Sequence, residues 1–317
     1  GETVFHMMGW REQAAGPAEK FNKLPPIPVD DHQWLGNLGL TGATAYFGLL
    51  RVAQAKEGDI VFVSAAAGAV GSAVVQIAKA RGMTVIGSAG GPEKCRWVSE
   101  IGADAAIDYK AGPLVPQLNA AAPKGIDVYF DNVGGEHLEV ALEVARPFAR
   151  FIECGMISIY NDKEPTPGPR NMSYIVGKRI KMQGFIVSDF ADMRGEFYRE
   201  MGEWVRQGRV KWQETVENGI DRAPHVHLKM RHVDQGVLTT EVYFEDKDDA
   251  RLRELPVVLM TSSYMDEADR SLARQLIRRE QIAPQDDKKE NSGIDEIKVI
   301  AIKLPFDLQE RLLTFPF

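Results

Sequence analysis

Ile60-Val-Phe-Val-Ser-Ala-Ala-Ala-Gly-Ala-Val-Gly-Ser-Ala-Val-Val-Gln-Ile-Ala-Lys79 reads as a strand, a small-residue turn and a helix. Ile60 to Val63 is β-branched and aromatic, as a buried parallel strand requires. From Ala65 to Gly71 the only bulky side chain is Val70, so a ligand can approach the backbone. Ser72 to Ala80 carries apolar Val74, Val75, Ile77 and Ala78 at helical spacing. Such a turn aims backbone N–H groups and the positive end of a helix at one spot, which suits a pyrophosphate. A dinucleotide fingerprint is written G-x-G-x-x-G; here the register is Ala66-x-Gly68-x-x-Gly71. Alanine in the first place disfavours positive φ. A turn like this also serves as a plain tight connection. The strand and helix beside it and the βαβ pattern after it favour the dinucleotide reading.

Outward from this stretch, strands and helices alternate. Strands are expected at 84–87, 105–107, 127–130, 149–154 and 180–187, the last running through Phe185, Ile186 and Val187. Helices are expected at 43–55, 93–101, 136–144 and 194–207, with Gly102 and Gly208 as stop signals. This rhythm predicts an α/β fold, a doubly wound parallel (Rossmann) sheet. Residues 1–24 look like short strands, and Leu24-Pro-Pro-Ile-Pro28 is a stiff linker. The composition changes after Ala223-Pro224. Residues 225–244 alternate like an antiparallel pair turning at Asp234-Gln-Gly236. A helix over 266–280, a polar loop over 284–293 and a strand over 297–302 are expected beyond it.

The 317 residues suffice for about two domains. Hydrophobic content of 44% and charged content of 26% are those of an ordinary globular chain. With a net charge of −7 and no clustered basic residues, nothing points to nucleic acid. No apolar run approaches the ~20 residues that span a bilayer. Cys95 and Cys154 are too few for a disulfide framework or a Cys-rich zinc site, and fit a reducing, cytoplasmic setting. The start, Gly1-Glu-Thr-Val, lacks an initiator Met and a signal-peptide core, and leads us to expect a fragment.

An NAD site places Asp or Glu at the end of the second strand, to hold the ribose 2′-hydroxyl. Here that strand ends Gly87-Ser-Ala-Gly-Gly91, with no acid, and Lys94 follows. The missing carboxylate and the cation favour a 2′-phosphate, hence NADP. Lys94 as one more solvated surface lysine is the alternative.

A set of segments then resembles the zinc-independent medium-chain dehydrogenase/reductases, specifically the NADP-dependent alkenal, prostaglandin and curcumin double-bond reductases. They are Gly9-Trp-Arg-Glu12, Leu40-Thr-Gly-Ala-Thr-Ala-Tyr-Phe-Gly48, the stretch at 60–79, Glu93-Lys-Cys95 and Ile107-Asp-Tyr-Lys110. Further on come Tyr129-Phe-Asp-Asn-Val-Gly-Gly135, Cys154-Gly-Met-Ile-Ser-Ile-Tyr-Asn161, Gly168-Pro-Arg-Asn171 and Met182-Gln-Gly-Phe-Ile-Val187. The resemblance covers about residues 1–224. It implies that Gly68, Ala69, Val70 and Gly71 cradle the pyrophosphate, and that Lys94 and Tyr109 hold the 2′-phosphate. It implies that Asn132, Cys154, Gly155, Ile157, Ser158, Phe185, Ile186 and Val187 line the ribose and nicotinamide. Tyr160 becomes the candidate catalytic residue, donating a proton or a hydrogen bond to a developing enolate, with a packed loop tyrosine as the alternative. The implied partner is a small-molecule enal, enone or quinone, and a homodimer is implied by analogy.

Against that family, residues 1–24 are expected to be the tail of a GroES-like β domain, residues 25–222 the NADP-binding domain, and 223–317 an atypical, β-rich extension. Pro224-His-Val-His-Leu and Leu238-Thr-Thr-Glu-Val-Tyr-Phe244 resemble the C-terminal part of intradiol ring-cleavage dioxygenases, with His225 and His227 as weak candidate iron ligands. That family's two tyrosinate ligands are missing from the expected places, so no metal is expected. The expectation is a truncated or chimeric chain. Its function is NADPH-dependent reduction of an activated C=C bond; the alternatives are a dioxygenase fragment or an NADP-binding remnant with impaired catalysis.

Overall fold

The computed structural model describes residues 2–8, 13–160, 162, 164, 166–213, 215–217, 242–244 and 257–259. Near the start, β1 (Val4–Phe5) pairs antiparallel with β2 (Asn22–Lys23), matching the short strands expected there. Helix α1 (Leu40–Phe47) continues through a π-helical turn, Gly48–Val52, into the sheet domain.

The sheet is built by β3 (Ile60–Val63), β4 (Thr84–Ala89), β5 (Ala105–Asp108), β6 (Ile126–Asp131), β7 (Ala145–Glu153) and β8 (Lys181–Gly184). Between them run α2 (Ala69–Ala80), α3 (Pro92–Glu100), α4 (Leu114–Ala121), α5 (Gly135–Val144) and α6 (Ser173–Lys178); α7 (Arg194–Arg206) follows. The six strands are parallel and lie in the order β5-β4-β3-β6-β7-β8. The order reverses between β3 and β6, and in such sheets the ligand crevice opens there, at the carboxyl ends.

Side-chain alternation covers both faces. Val61, Val63, Val128, Phe130 and Ile152 face a core shared with α1, α2 and α7. Phe62, Tyr129 and Phe151 face the other, under α4 and α5. The period of two along each strand makes this division, and both faces are apolar because helices cover both. Across the register, Phe62 stacks on Tyr129 at 5.2 Å, and Tyr129 meets Phe151 edge-on at 5.2 Å.

Three expectations need correction. The last strand stops at Gly184 rather than Val187, because its partner β7 ends at Glu153, opposite Gly184, and nothing further pairs with it. Val187–Met193 instead forms a 3-10 turn. The fifth strand begins early, at Ala145, with a register shift that accommodates Pro147 and a left-handed Phe148 (φ 68°). The short helices α4 and α6 were not expected. The first buries only Leu114 and Leu118, and the second has no buried residue, so neither carries a long apolar period.

Thr215–Glu217 (β9) pairs parallel with Val242–Phe244 (β10), which pairs antiparallel with Val257–Leu259 (β11). The rest of the alternating pair at 225–244, the helix at 266–280 and the strand at 297–302 fall outside the described residues.

Candidate functional site

The turn after β3 is tied to both neighbouring strands. Ser64 N–H donates to the Phe130 carbonyl at 3.2 Å, and Ala66 N–H to that of Ser88 at 2.8 Å. Ala65, not Ala66, adopts the left-handed conformation, with φ 48°. The first-glycine register therefore misplaces the demand by one residue. Ala66 has a different constraint: a Cβ on Gly87 would lie 2.8 Å from its methyl group. Gly68 caps α2 and donates to the Ala65 carbonyl at 2.9 Å. A Cβ on Gly71 would overlap that same oxygen. No side chain caps α2, so the N–H groups of Ala69, Val70 and Gly71 are left to meet an anion.

At the next strand end β4 stops at Ala89, and Gly90 and Gly91 carry the chain past β5. A Cβ on Gly90 would lie 2.7 Å from Tyr109 Oη and 3.1 Å from Lys110 Cε. Asp108 Oδ1 fixes this junction by accepting from Gly91 N at 2.8 Å and Lys110 N at 3.0 Å. Lys94 stands in the first turn of α3, half-buried, with no ion pair among the described residues. The Tyr109 ring, 41% exposed, meets His137 edge-on at 5.3 Å. His137 Nε2 lies 2.9 Å from Ser88 Oγ, and burial pushes its pKa down to about 4, so the ring is neutral near neutrality. Tyr109 and Lys110 thus meet at the Gly90 turn, and Lys94 follows it in the first turn of α3.

At the switch point Asn132 Nδ2 donates to the Ser64 carbonyl at 2.8 Å, and Asn132 N to Ser64 Oγ at 2.9 Å. The loop after β7 is laced to the loop after β6. Cys154 N and Gly155 N both donate to the Asp131 carbonyl, at 2.9 and 3.0 Å, Ile157 N to Asn132 at 3.3 Å, and Ser158 N to Val133 at 3.0 Å. Tyr160 folds back so that its hydroxyl accepts from Met156 N at 3.0 Å. A Cβ on Gly155 would lie 2.9 Å from that hydroxyl. Burial, with the Asp131 and Glu153 charges, pushes the Cys154 thiol up to about 12, so it stays protonated and unreactive. Phe185 packs beside Phe130, closing over Gly48. Ile186 is 64% exposed. Ser64, Asp131 and Glu153 organise this edge; Ser64 and Asp131 lie inside matching segments but were given no role, Glu153 lies in none, and the strand register brings the three together.

Whether these residues suit a dinucleotide phosphate is tested by the two places a Cβ would fill, at Gly71 and Gly90, and by the uncapped N-terminus of α2; they fit. Among the described residues no group of three His, Cys, Asp or Glu side chains is placed to hold a metal. His225 and His227 lie outside the described residues.

A family model described as zinc-binding dehydrogenase matches residues 69–205. The chain is 40% identical over 234 residues to the NADPH-dependent curcumin reductase of Escherichia coli, covering 72% of this chain and 68% of that protein. It is 41% identical over 230 residues to prostaglandin reductase 1 of Bos taurus, covering 71% and 70%. Among solved structures, CurA from Vibrio vulnificus in complex with NADPH is 43% identical, with a TM-score of 0.59, over 64% of this chain and 62% of that one. The chain therefore spans under two thirds of that solved relative. It belongs to the zinc-independent, NADP-dependent medium-chain dehydrogenase/reductases of the alkenal and curcumin reductase group. These relatives give no support to a dioxygenase-like segment at 224–244.

Proposed function

We propose that this chain reduces the activated C=C bond of enals, enones or quinones with hydride from NADPH. One observation carries the reading: the uncapped N-terminus of α2 and the Tyr160 loop both open at the carboxyl edge of β3, β6 and β7.

NADPH, when bound, supplies the hydride that adds to the β-carbon of the substrate. The first-turn N–H groups of α2 bind the pyrophosphate, where the helix dipole adds to their hydrogen bonds. Lys94 and Tyr109 hold the 2′-phosphate; no acid at the end of β4 competes for that position. Asn132, the 154–158 loop and Phe185 to Val187 line the ribose and nicotinamide and exclude water. The laced loops keep these walls in place without rearrangement. As negative charge grows on the carbonyl oxygen, the Tyr160 hydroxyl donates to it. Accepting from Met156 N–H polarises the phenol and strengthens it as a donor. The α-carbon then takes the proton that completes the reduction.

A homodimer in a reducing, cytoplasmic compartment is part of this reading; both cysteines are free thiols, which fits. The test is NADPH oxidation by the purified chain with 2-nonenal. Turnover dependent on the enal supports the proposal. NADPH binding without turnover reduces the chain to a cofactor-binding module, and no binding at all removes the reading.

A further inference from the structure

Asp131 and Glu153 are register partners at the carboxyl ends of the adjacent strands β6 and β7. Asp131 is fully buried, and its two oxygens differ sharply. Oδ1 accepts from Tyr129 Oη at 2.7 Å, Val133 N at 2.8 Å, Gly134 N at 2.8 Å and Ser64 Oγ at 3.1 Å. Oδ2 is buried with no donor, and so are both Glu153 oxygens. The register sets the two carboxyl groups next to each other, close enough for the Asp131 charge to act on Glu153.

Two carboxylates here would leave three buried acceptors unpaired and two like charges side by side, which costs several kcal/mol. One proton removes the repulsion and pairs two of the three oxygens, leaving one Glu153 oxygen without a donor. That proton belongs on Glu153, because four donors favour the Asp131 anion and none favours that of Glu153. We propose that Glu153 is a positioning residue: it stays a neutral acid, donates its proton to Asp131 Oδ2, and so holds Ser64, Asn132 and the 133–134 turn in the shape that binds NADPH. Loss of that proton sets two anions against each other beneath the cofactor turn, and affinity falls.

The surroundings leave this pair to itself. On β6, Tyr129 is fully buried and held well above its ordinary value by burial and by the Asp131 charge, so it remains a neutral donor. On β7, the neighbouring Cys154 thiol is also neutral at ordinary pH. Ser64, in the turn just after β3, does not titrate, and β8 places Gly184 opposite Glu153. On α5, His137 is committed to Ser88 and Glu139 to Arg170; on α6, Lys178 bonds the Leu142 carbonyl. Neither carboxyl has an ion-pair partner among the described residues. Burial and the Asp131 charge push Glu153 up to about 8, so the transition falls in mildly alkaline solution.

The inference rests on the NADPH site proposed above and is tested by binding, not turnover. The NADPH dissociation constant of the wild-type chain and of Glu153→Gln is measured by fluorescence titration from neutral pH upward. Gln keeps a donor but cannot ionise. The wild type is expected to weaken about tenfold by one pH unit above the Glu153 transition, while Glu153→Gln holds its neutral-pH affinity over that range. Any pH effect elsewhere at the site is common to both proteins, so the difference between them isolates Glu153. A flat wild-type profile, or the same decline in both, overturns the proposal. Infrared titration of the wild type needs no variant: a protonated carboxyl band that disappears over the same range supports it, and its absence at neutral pH overturns it. No NADPH binding at any pH, with the carboxyl band present, removes the cofactor site itself and with it the positioning role.

Discussion

Gly71 lies so close to the carbonyl of Ala65 that the turn before α2 and the first turn of that helix have no room for a methyl group between them. Gly71→Ala forces the turn open, a misfit of about 1–3 kcal/mol. The expected result is a loss of NADPH affinity of about ten- to a hundredfold. Gly68→Ala meets the same oxygen at 3.2 Å, on ordinary backbone with φ −76°, and loses less. Titration of both variants, with circular dichroism to confirm folding, gives the ranking.

Lys94 follows, and Tyr109 packs against, the Gly90–Gly91 turn that ends β4 without an acid of its own. Lys94→Ala removes a charged donor worth about 1.5–3 kcal/mol. NADPH binding weakens at least about tenfold, and NADH binding is unchanged. Equal losses for the two nucleotides would show that Lys94 serves the fold rather than the 2′-phosphate.

Tyr160 accepts from Met156 N–H, which holds its hydroxyl against the loop after β7. Tyr160→Phe is expected to lower kcat about a hundredfold, the size of a lost oxyanion donor. It also leaves the Met156 N–H unpaired, for about 1 kcal/mol of stability. NADPH affinity stays near wild type. A wild-type kcat would mark Tyr160 as a loop-packing residue.

His137 is buried against Ser88 and Tyr109 and is neutral in the fold, with its pKa lowered from 6.5 to about 4. The unfolded chain binds a proton in that window and the folded chain does not, so stability is complete above about pH 6.5 and falls as pH drops toward 4. The full span is worth about 3 kcal/mol. His137→Gln keeps a partner for Ser88 and removes this slope. Denaturant unfolding of both proteins across the window measures the difference, which subtracts the carboxylates common to both.

The doubly wound sheet was readable because its signals are local. Ile60–Val63 is a β-branched run, Ser72–Ala80 has a helical period, and Gly102, which takes φ 107°, closes α3. The end of β8 was not readable, since it depends on where β7 stops. The left-handed residue fell on Ala65 rather than Ala66 because the turn is set by hydrogen bonds to Phe130 and Ser88, far off in sequence. The cofactor residues were legible as motifs. The roles of Lys110, Ser64 and Asp131, which lie inside those motifs, and of Glu153, which does not, were not legible, because a carboxyl pair across two strands exists only once the register is fixed.

The central claim is that the β3–α2 turn and the Gly90 junction together select NADPH. Isothermal titration of the purified chain with NADPH and NADH tests it most directly. NADPH is expected to bind at least about tenfold more tightly, with the preference lost in Lys94→Ala. Equal affinity for the two nucleotides, or a preference for NADH, would contradict it.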